Sequence, residues 1–227
     1  MRKELRFALK TTIPVACGYI FLGTAFGILI SNAGYGPVWA LLSSVFVYAG
    51  SMQFVMVALL SSAAPLAAVA VTTFLVNARH IFYGLGFVER FRGMGAKLPY
   101  MVLSLTDETY SVLCSVSYPA GLSEDRCAFF ISLFDQFYWI LGSVLGAAAG
   151  QLIPFDMAGV DFAMTALFVV IFVDQWRQYP SHIPAVTGAG CAIASLLIFG
   201  PANFLPVALA AAVGILIALR GKLEGDA

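Results

Sequence analysis

The sequence predicts an all-α integral membrane protein, a polytopic bundle of seven to eight transmembrane helices. Of its 227 residues, 61% are hydrophobic and only 11% are charged, whereas a soluble domain has roughly 25% charged residues. A run of 68 residues, from Thr11 to Ala78, contains no Lys, Arg, Asp or Glu, and one helical crossing needs about 20 apolar residues. The formal net charge of zero argues against nucleic-acid binding, which requires a basic face.

Turn residues divide the apolar sequence into eight candidate spans within a single transmembrane domain that covers residues 1–227. Gly, Pro, Asn and Ser concentrate between these spans, as expected for loops. The last three spans are short, and one of them could be re-entrant or broken, so seven and eight crossings both fit the pattern. The candidate spans are 12–31, 38–60, 66–87, 98–118, 128–150, 161–176, 183–199 and 204–220.

The basic residues predict a cytoplasmic N-terminus, because cytoplasmic segments are enriched in Lys and Arg and the first ten residues contain four of them. With eight crossings, the loop that holds Arg90, Arg92 and Lys97 would face outward, against this rule. The loop would face inward if the first 87 residues crossed only twice. An interrupted or re-entrant segment at Gly50-Ser51 would achieve this, and the conflict leaves the number of crossings open.

One nine-residue pattern occurs twice. Residues 19–27 and 138–146 both match Y-x-x-L-G-[ST]-x-x-G, with an offset of 119 residues, about half the chain. This repeated pattern predicts two repeated halves, 12–118 and 128–220, as in many transporters. The halves would be inverted if the loop at 90–97 is cytoplasmic. Alternatively, two helices have converged on small residues because these allow close packing in lipid.

Four charged residues lie inside predicted spans: Arg79, Asp107, Glu108 and Asp135. Each costs about 2.5–3.5 kcal/mol at a helix centre, so such residues face the bundle interior or a wet cavity and have partners. Either Arg79 pairs with one of the adjacent carboxylates, or one carboxyl is protonated, which proton coupling would require. A static ion pair is the structural alternative, and Asp135 could simply lie at the membrane interface.

Two short polar segments accompany these charges. Asn77, Arg79 and His80 present an amide, a fixed cation and a titratable imidazole within one helical turn, although Arg79 could snorkel to the interface and His80 could be a packing residue. Gly50-Ser51 lies mid-span, where glycine permits an unwound turn that frees backbone groups, and a half-helix N-terminus favours a carboxylate. Close packing of two helices is the alternative there. Together these residues predict passage of a small polar or zwitterionic solute.

Three segments together resemble one known family. Residues 48–54 (YAGSMQF), 76–84 (VNARHIFYG) and 105–110 (LTDETY) are similar to motifs of the AzlC family, the large subunits of bacterial branched-chain amino-acid exporters. The glycines of the first span and residues 160–168 (VDFAMTALF) also fit the family pattern. The resemblance covers nearly the whole chain, with Ala78 as a small departure where Leu is more usual.

The resemblance implies export of L-valine, leucine and isoleucine, with methionine as a further candidate, across the bacterial inner membrane. It also implies a small AzlD-type membrane subunit as partner and protons as the coupling ion, in a transporter without a cofactor. No G-x-x-x-x-G-K-[ST] motif for ATP occurs, which fits secondary transport. An uncoupled permease, or an uptake system for another small zwitterionic solute, is the alternative function.

Site residues follow from this function as a hypothesis. The Gly50-Ser51 break, with an amide side chain, would bind the substrate carboxylate, and one of the adjacent carboxylates would bind the ammonium or the coupled proton. An enzyme is not expected, because neither H-E-x-x-H nor G-x-S-x-G is present, and a scaffold would not retain buried charges. The predicted substrate-binding residues are Gly50, Ser51, Gln53 and Asn77. The predicted coupling or gating residues are Arg79, His80, Asp107, Glu108 and Asp135.

Overall fold

The computed structural model describes residues 2–152, 169, 172–173, 176–177, 181–200 and 204–219. The long regular elements within these ranges are ten α-helices, and a short 3-10 turn, Gly95–Lys97, precedes the sixth. The helices are α1 (Arg2–Thr11), α2 (Ile13–Asn32), α3 (Pro37–Phe46), α4 (Gly50–Ser61), α5 (Leu66–Arg92), α6 (Leu98–Leu103), α7 (Asp107–Ser115), α8 (Glu124–Leu152), α9 (Ile183–Phe199) and α10 (Phe204–Ala218).

The predicted helical membrane class is confirmed, although the number of crossings is not. Among the described residues, α2 and α8 are long and apolar enough to cross a membrane. A third candidate is α5, which is bent by 72° between Leu66–Ile81 and Gly86–Arg92. Helices α2, α5, α8, α9 and α10 lie where spans are predicted, whereas the predicted span 161–176 lies largely outside the described residues.

Two predicted spans are each divided into two helices. Residues 38–60 form α3 and α4, which are separated at Val47–Ala49, and residues 98–118 form α6 and α7, which are separated at Ser104–Thr106. The first break lies next to the glycine that suggested an interruption. The second carries neither Gly nor Pro and was not predicted.

Helices α2 and α8 pack backbone to backbone along a seam of small residues. A Cβ atom on Gly23 would lie 3.0 Å from the carbonyl oxygen of Trp139, and one on Gly27 would meet the carbonyl oxygen of Ser143. On the facing helix, a Cβ on Gly146 would meet the carbonyl oxygen of Thr24. Small residues at a four-residue spacing allow this close approach.

The seam consists of the two copies of the repeated pattern, and the copies run in the same direction. Positions further along α2 meet positions further along α8, from Ile20 beside Gly142 to Ile28 beside Gly150. Inverted copies would run in opposite directions, so inversion is wrong for these two segments. The two repeated halves, 12–118 and 128–220, stay a prediction, and so does convergence of two glycine-lined helices that pack closely.

The described chain divides into two compact units. The first contains residues 1–63 and 77–163, and the second contains residues 64–76 and 164–227. In the second unit, α9 and α10 pack against each other. All the candidate site residues belong to the first unit.

In the first unit, the two basic segments of the sequence lie at the same end. Ala8 of α1 shares a buried apolar cluster with Phe91 and Met94, which lie in the loop at 90–97. Arg90 donates a hydrogen bond of 2.8 Å to the Tyr118 hydroxyl, and the Tyr118 ring lies 6.1 Å from the ring of Phe7. We call this end, formed by residues 2–10 and 90–97, the basic end.

Candidate functional site

Helices α3 and α4 form a hairpin that turns in the interior of the first unit. Helix α3 runs antiparallel to α8: a Cβ on Gly36 would touch the amide nitrogen of Gln151, and Gln136 donates to the Val45 carbonyl over 3.2 Å. At the break, Tyr48 has a positive φ of 39°, a conformation that a helix cannot continue through. The chain therefore changes direction at Tyr48, beside the middle of α8.

Gln53 shows that α3 and α4 do not stack end to end. Its amide nitrogen lies 3.3 Å from the hydroxyl of Ser43 and 3.3 Å from that of Ser44. Nine or ten residues of straight helix would place these groups about 14 Å apart along the axis. The amide oxygen accepts from the Trp139 indole over 2.8 Å. Gln53 thus joins α3, α4 and α8 and is fully buried.

Helices α6 and α7 form a second hairpin, which opens towards the basic end. Met101 of α6 and Leu113 of α7 belong to the same apolar cluster as Ala8. The outer ends of both helices therefore lie near this cluster. At the turn, the Thr106 side chain accepts from the backbone N–H of Thr109 and caps α7. Asp107 and Glu108 occupy the first turn of α7, where the helix dipole favours carboxylates.

Arg79 of α5 joins the inner ends of the two hairpins. Its Nη2 donates to the Ser51 hydroxyl over 2.8 Å, and its Nη1 lies 2.8 Å from Oδ2 of Asp107. Ser51 is the second residue of α4, and Asp107 is the first residue of α7. The structure thus brings together three of the predicted site residues, and the predicted pairing of Arg79 with an adjacent carboxylate is with Asp107.

The ion pair is only partly enclosed and has free hydrogen-bonding capacity. About a quarter of each side chain is exposed, 25% for Arg79 and 26% for Asp107. The Nε of Arg79 and the Oδ1 of Asp107 are both buried and have no hydrogen-bond partner among the described residues. Such atoms usually have partners in native structures, so this pair has one donor and one acceptor available for a ligand.

Glu108 and Asp135 lie on a second polar path. Tyr19 donates to Oε2 of Glu108 over 2.8 Å, and its oxygen lies 2.6 Å from the Thr106 hydroxyl. Thr106 contacts the Thr109 hydroxyl over 3.1 Å, and Thr109 donates to Oδ2 of Asp135 over 2.8 Å. Oxygen atoms within hydrogen-bonding distance therefore connect the two carboxyl groups. Asp135 is fully buried within the protein.

The remaining predicted residues have other neighbours. Gly50 packs on Trp139, because a Cβ there would lie 3.3 Å from the indole ring. Asn77 lies two residues before Arg79, so its side chain points about 200° away around the helix. The imidazole of His80 lies 3.2 Å from the Asn77 carbonyl oxygen, and its ring lies 5.8 Å from that of Tyr83. Among the described residues, none of these three forms a hydrogen bond with the ion pair.

Three contributors to the site were missed from the sequence: Tyr19, Thr106 and Thr109. Each is an uncharged polar residue, and such residues are common in membrane helices, so composition gave no reason to select them. One available signal was the run Thr-Asp-Glu at 106–108, which fits a helix N-terminus with a cap followed by acidic residues.

Comparison with known proteins agrees with this architecture. A family model described as AzlC protein matches residues 14–153, a range that includes both hairpins and the ion pair. The chain belongs to the AzlC family. No solved structure matches the chain.

Curated relatives of this AzlC-family chain match it over almost its full length. "Branched-chain amino acid transport protein AzlC" of Bacillus subtilis is 37% identical over 96% of the chain and 86% of that protein. An "Uncharacterized membrane protein" of Helicobacter pylori J99 is 39% identical over 98% of the chain and 97% of that protein. "Inner membrane protein YgaZ" of Escherichia coli K12 is 28% identical over 92% of the chain and 87% of that protein. The names agree with the apolar helices of the structure.

Proposed function

We propose that this AzlC-family chain is the large subunit of a secondary transporter, not an enzyme, and that it exports branched-chain amino acids across the bacterial inner membrane. The proposed substrates are L-valine, leucine and isoleucine, with methionine as a further candidate. The Bacillus subtilis relative is named for branched-chain amino acid transport, and the Escherichia coli relative is named as an inner membrane protein.

The observation that carries this proposal is the meeting of two interrupted helices at one interior cation. Arg79 contacts Ser51 at the start of α4 and Asp107 at the start of α7. Secondary transporters bind substrate and coupling ion at such breaks near the middle of the membrane, where half-helix ends and unwound backbone face a cavity. A scaffold without transport would gain nothing from buried charges at this position.

The arrangement of helices supports a topology with two re-entrant hairpins. Helix α2 leads away from the basic end and α3 follows at the far end of α2, so α3–α4 enters from the opposite side. Helix α6 begins at the basic end, so α6–α7 enters from the basic side. Residues 1–152 then cross three times, through α2, α5 and α8. The basic end, which includes the N-terminus and the loop at 90–97, is cytoplasmic, as the positive-inside rule requires.

We assign proton coupling to Glu108 and Asp135. The path between them through Tyr19, Thr106 and Thr109 offers successive hydroxyl groups for proton transfer, and intramembrane carboxyl groups of this kind form proton relays. Because this path involves no atom of the Arg79 guanidinium, substrate recognition and proton transfer use separate groups.

The coupling assignment is tested in proteoliposomes. Glu108→Gln and Asp135→Asn should keep valine counterflow but lose its acceleration by an imposed pH gradient. Thr109→Val, which preserves the side-chain shape but interrupts the hydroxyl path, should do the same. If all three variants respond to the gradient like the wild-type protein, the coupling assignment is wrong.

The function itself is tested by loading cells with dipeptides that contain valine, leucine or isoleucine. Cells that contain this chain and a small AzlD-type partner should accumulate less of the free amino acid than cells without them. Expressing the chain without that subunit tests the partnership. Equal accumulation in all strains, with the chain present in the membrane, would contradict export, and faster uptake would indicate the reverse direction.

A further inference from the structure

We propose that the Arg79–Asp107 ion pair is the recognition site for the zwitterionic end of the substrate, and that it opens to exchange partners with a neutral L-α-amino acid. The substrate carboxylate binds Arg79 and the Ser51 hydroxyl, and the substrate ammonium binds Asp107. This inference rests on the proposed transport function and assigns recognition within it to three side chains.

The ion pair matches a zwitterion in its two opposite charges and in its unused hydrogen-bonding groups. Within the part of the chain that the structure describes, the Nε donor of Arg79 and the Oδ1 acceptor of Asp107 have no hydrogen-bond partner. An α-carboxylate needs donors and an α-ammonium needs acceptors, and guanidinium binds carboxylate through two parallel hydrogen bonds. A zwitterion inserted between the two side chains gives each of them a new opposite charge.

The helix ends determine the orientation of the ligand, with its carboxylate at one helix and its ammonium at the other. Ser51 lies in the first turn of α4, where the partial positive charge of the helix N-terminus favours an anion. The hydroxyl of Ser51 accepts from Arg79 and keeps its own proton for donation. The carboxylate therefore lies towards α4, and the ammonium lies towards Asp107.

The contact between Arg79 and Asp107 also explains why neither side chain needs a ligand to compensate its charge. Removing one partner from an enclosed ion pair destabilises a protein, because an uncompensated charge remains. In the absence of substrate, Arg79 and Asp107 compensate each other over 2.8 Å. With substrate bound, each of the two side chains exchanges one opposite charge for another, so the net charge of the site is zero in both states.

The test measures ligand binding to the purified full chain with its partner subunit. The ligands are valine, isovalerate, which lacks the ammonium, and isobutylamine, which lacks the carboxylate. The wild-type protein should bind valine and bind the other two at least tenfold more weakly. If the wild-type protein neither binds nor transports valine, the proposed function itself fails.

The deciding variant is Asp107→Asn, which leaves Arg79 without its anion. It should bind valine at least tenfold more weakly than the wild-type protein and isovalerate at least tenfold more tightly, because a lone carboxylate now compensates the guanidinium. Glu89→Gln, an exposed carboxylate on the same helix as Arg79, should leave both affinities unchanged. A variant that loses valine binding without gaining isovalerate binding would overturn the inference.

The double variant Arg79→Gln/Asp107→Asn tests the inference if the single variant does not fold. It removes both charges together, so no uncompensated charge remains to unfold the protein. We expect a folded protein that binds neither valine nor isovalerate. Wild-type valine affinity in this double variant would show that the ion pair is purely structural and would overturn the inference.

Discussion

Buried polar side chains of this protein differ in whether their hydrogen-bonding groups are occupied. Both groups of the Gln53 amide have partners, whereas Arg79 and Asp107 keep atoms without partners among the described residues. An occupied group is suited to holding elements together, and a free group is suited to binding a ligand. This difference separates Gln53 from Arg79 and Asp107, although the sequence made all three candidate site residues.

At Gln53, truncation should destabilise the fold and leave recognition intact. Gln53→Ala removes the acceptor of the buried Trp139 indole, and an unsatisfied buried donor costs about 1–3 kcal/mol. Thermal unfolding in detergent should show a clearly lower midpoint than for Gln151→Ala, a matched change at an exposed position of α8. Valine affinity, measured below the unfolding range, should be unchanged. A tenfold weaker affinity with normal stability would instead make Gln53 a substrate ligand.

The charged residues of the interior could be selected from the sequence, but most of their partners could not. The cost of placing charge in lipid identifies Arg79, Asp107, Glu108 and Asp135 from composition and spacing alone. The same argument gave two alternatives, a pairing of Arg79 with one adjacent carboxylate or a protonated carboxyl group. The choice of Asp107, and the contacts of Glu108 with Tyr19 and of Asp135 with Thr109, depend on where the helices break.

At the scale of elements, the helix positions were predictable from apolar length, and one of the two interior breaks was predictable from glycine. The break before Gly50 follows a familiar signal. The break at Ser104–Thr106 depends on a threonine cap and on polar partners from α2 and α8, which are distant in sequence. Local sequence rules do not contain such partners, so residues 98–118 looked like one continuous span.

The glycine seam between α2 and α8 should tolerate almost no enlargement. Gly146→Ala would push a methyl group into the backbone at Thr24, which forces the helices apart, and overpacking of this kind costs about 1–3 kcal/mol. Gly18→Ala on α2 is the matched control, because nothing lies within 4 Å of its added Cβ. Thermal unfolding of the two variants side by side checks this expectation. An equally stable Gly146→Ala protein would show that the two backbones are not in contact.

The two hairpins make a prediction about the whole molecule, because they determine which loops face the same side. Ser62, in the loop after α4, and Ala96, in the loop after α5, are both exposed. In a background without the four native cysteines, a membrane-impermeant maleimide added to intact cells should label Ser62→Cys and not Ala96→Cys. Permeabilised cells should show labelling at both positions. The reverse pattern in intact cells would mean that α3 and α4 together cross the membrane.

The N-termini of α4 and α7, which meet at Arg79, affect the charge that the protein moves during transport. Each helix N-terminus contributes about half an elementary charge, so two of them add about one positive charge to that of the guanidinium. The carboxylates of Asp107 and Glu108, when ionised, offset this amount. A solute without net charge can then bind and leave without disturbing the local potential, and under the proposed proton coupling only the proton carries charge across the membrane. Transport of valine should therefore generate a current that reports proton stoichiometry directly, at about 2.3 kcal/mol per charge for each 100 mV.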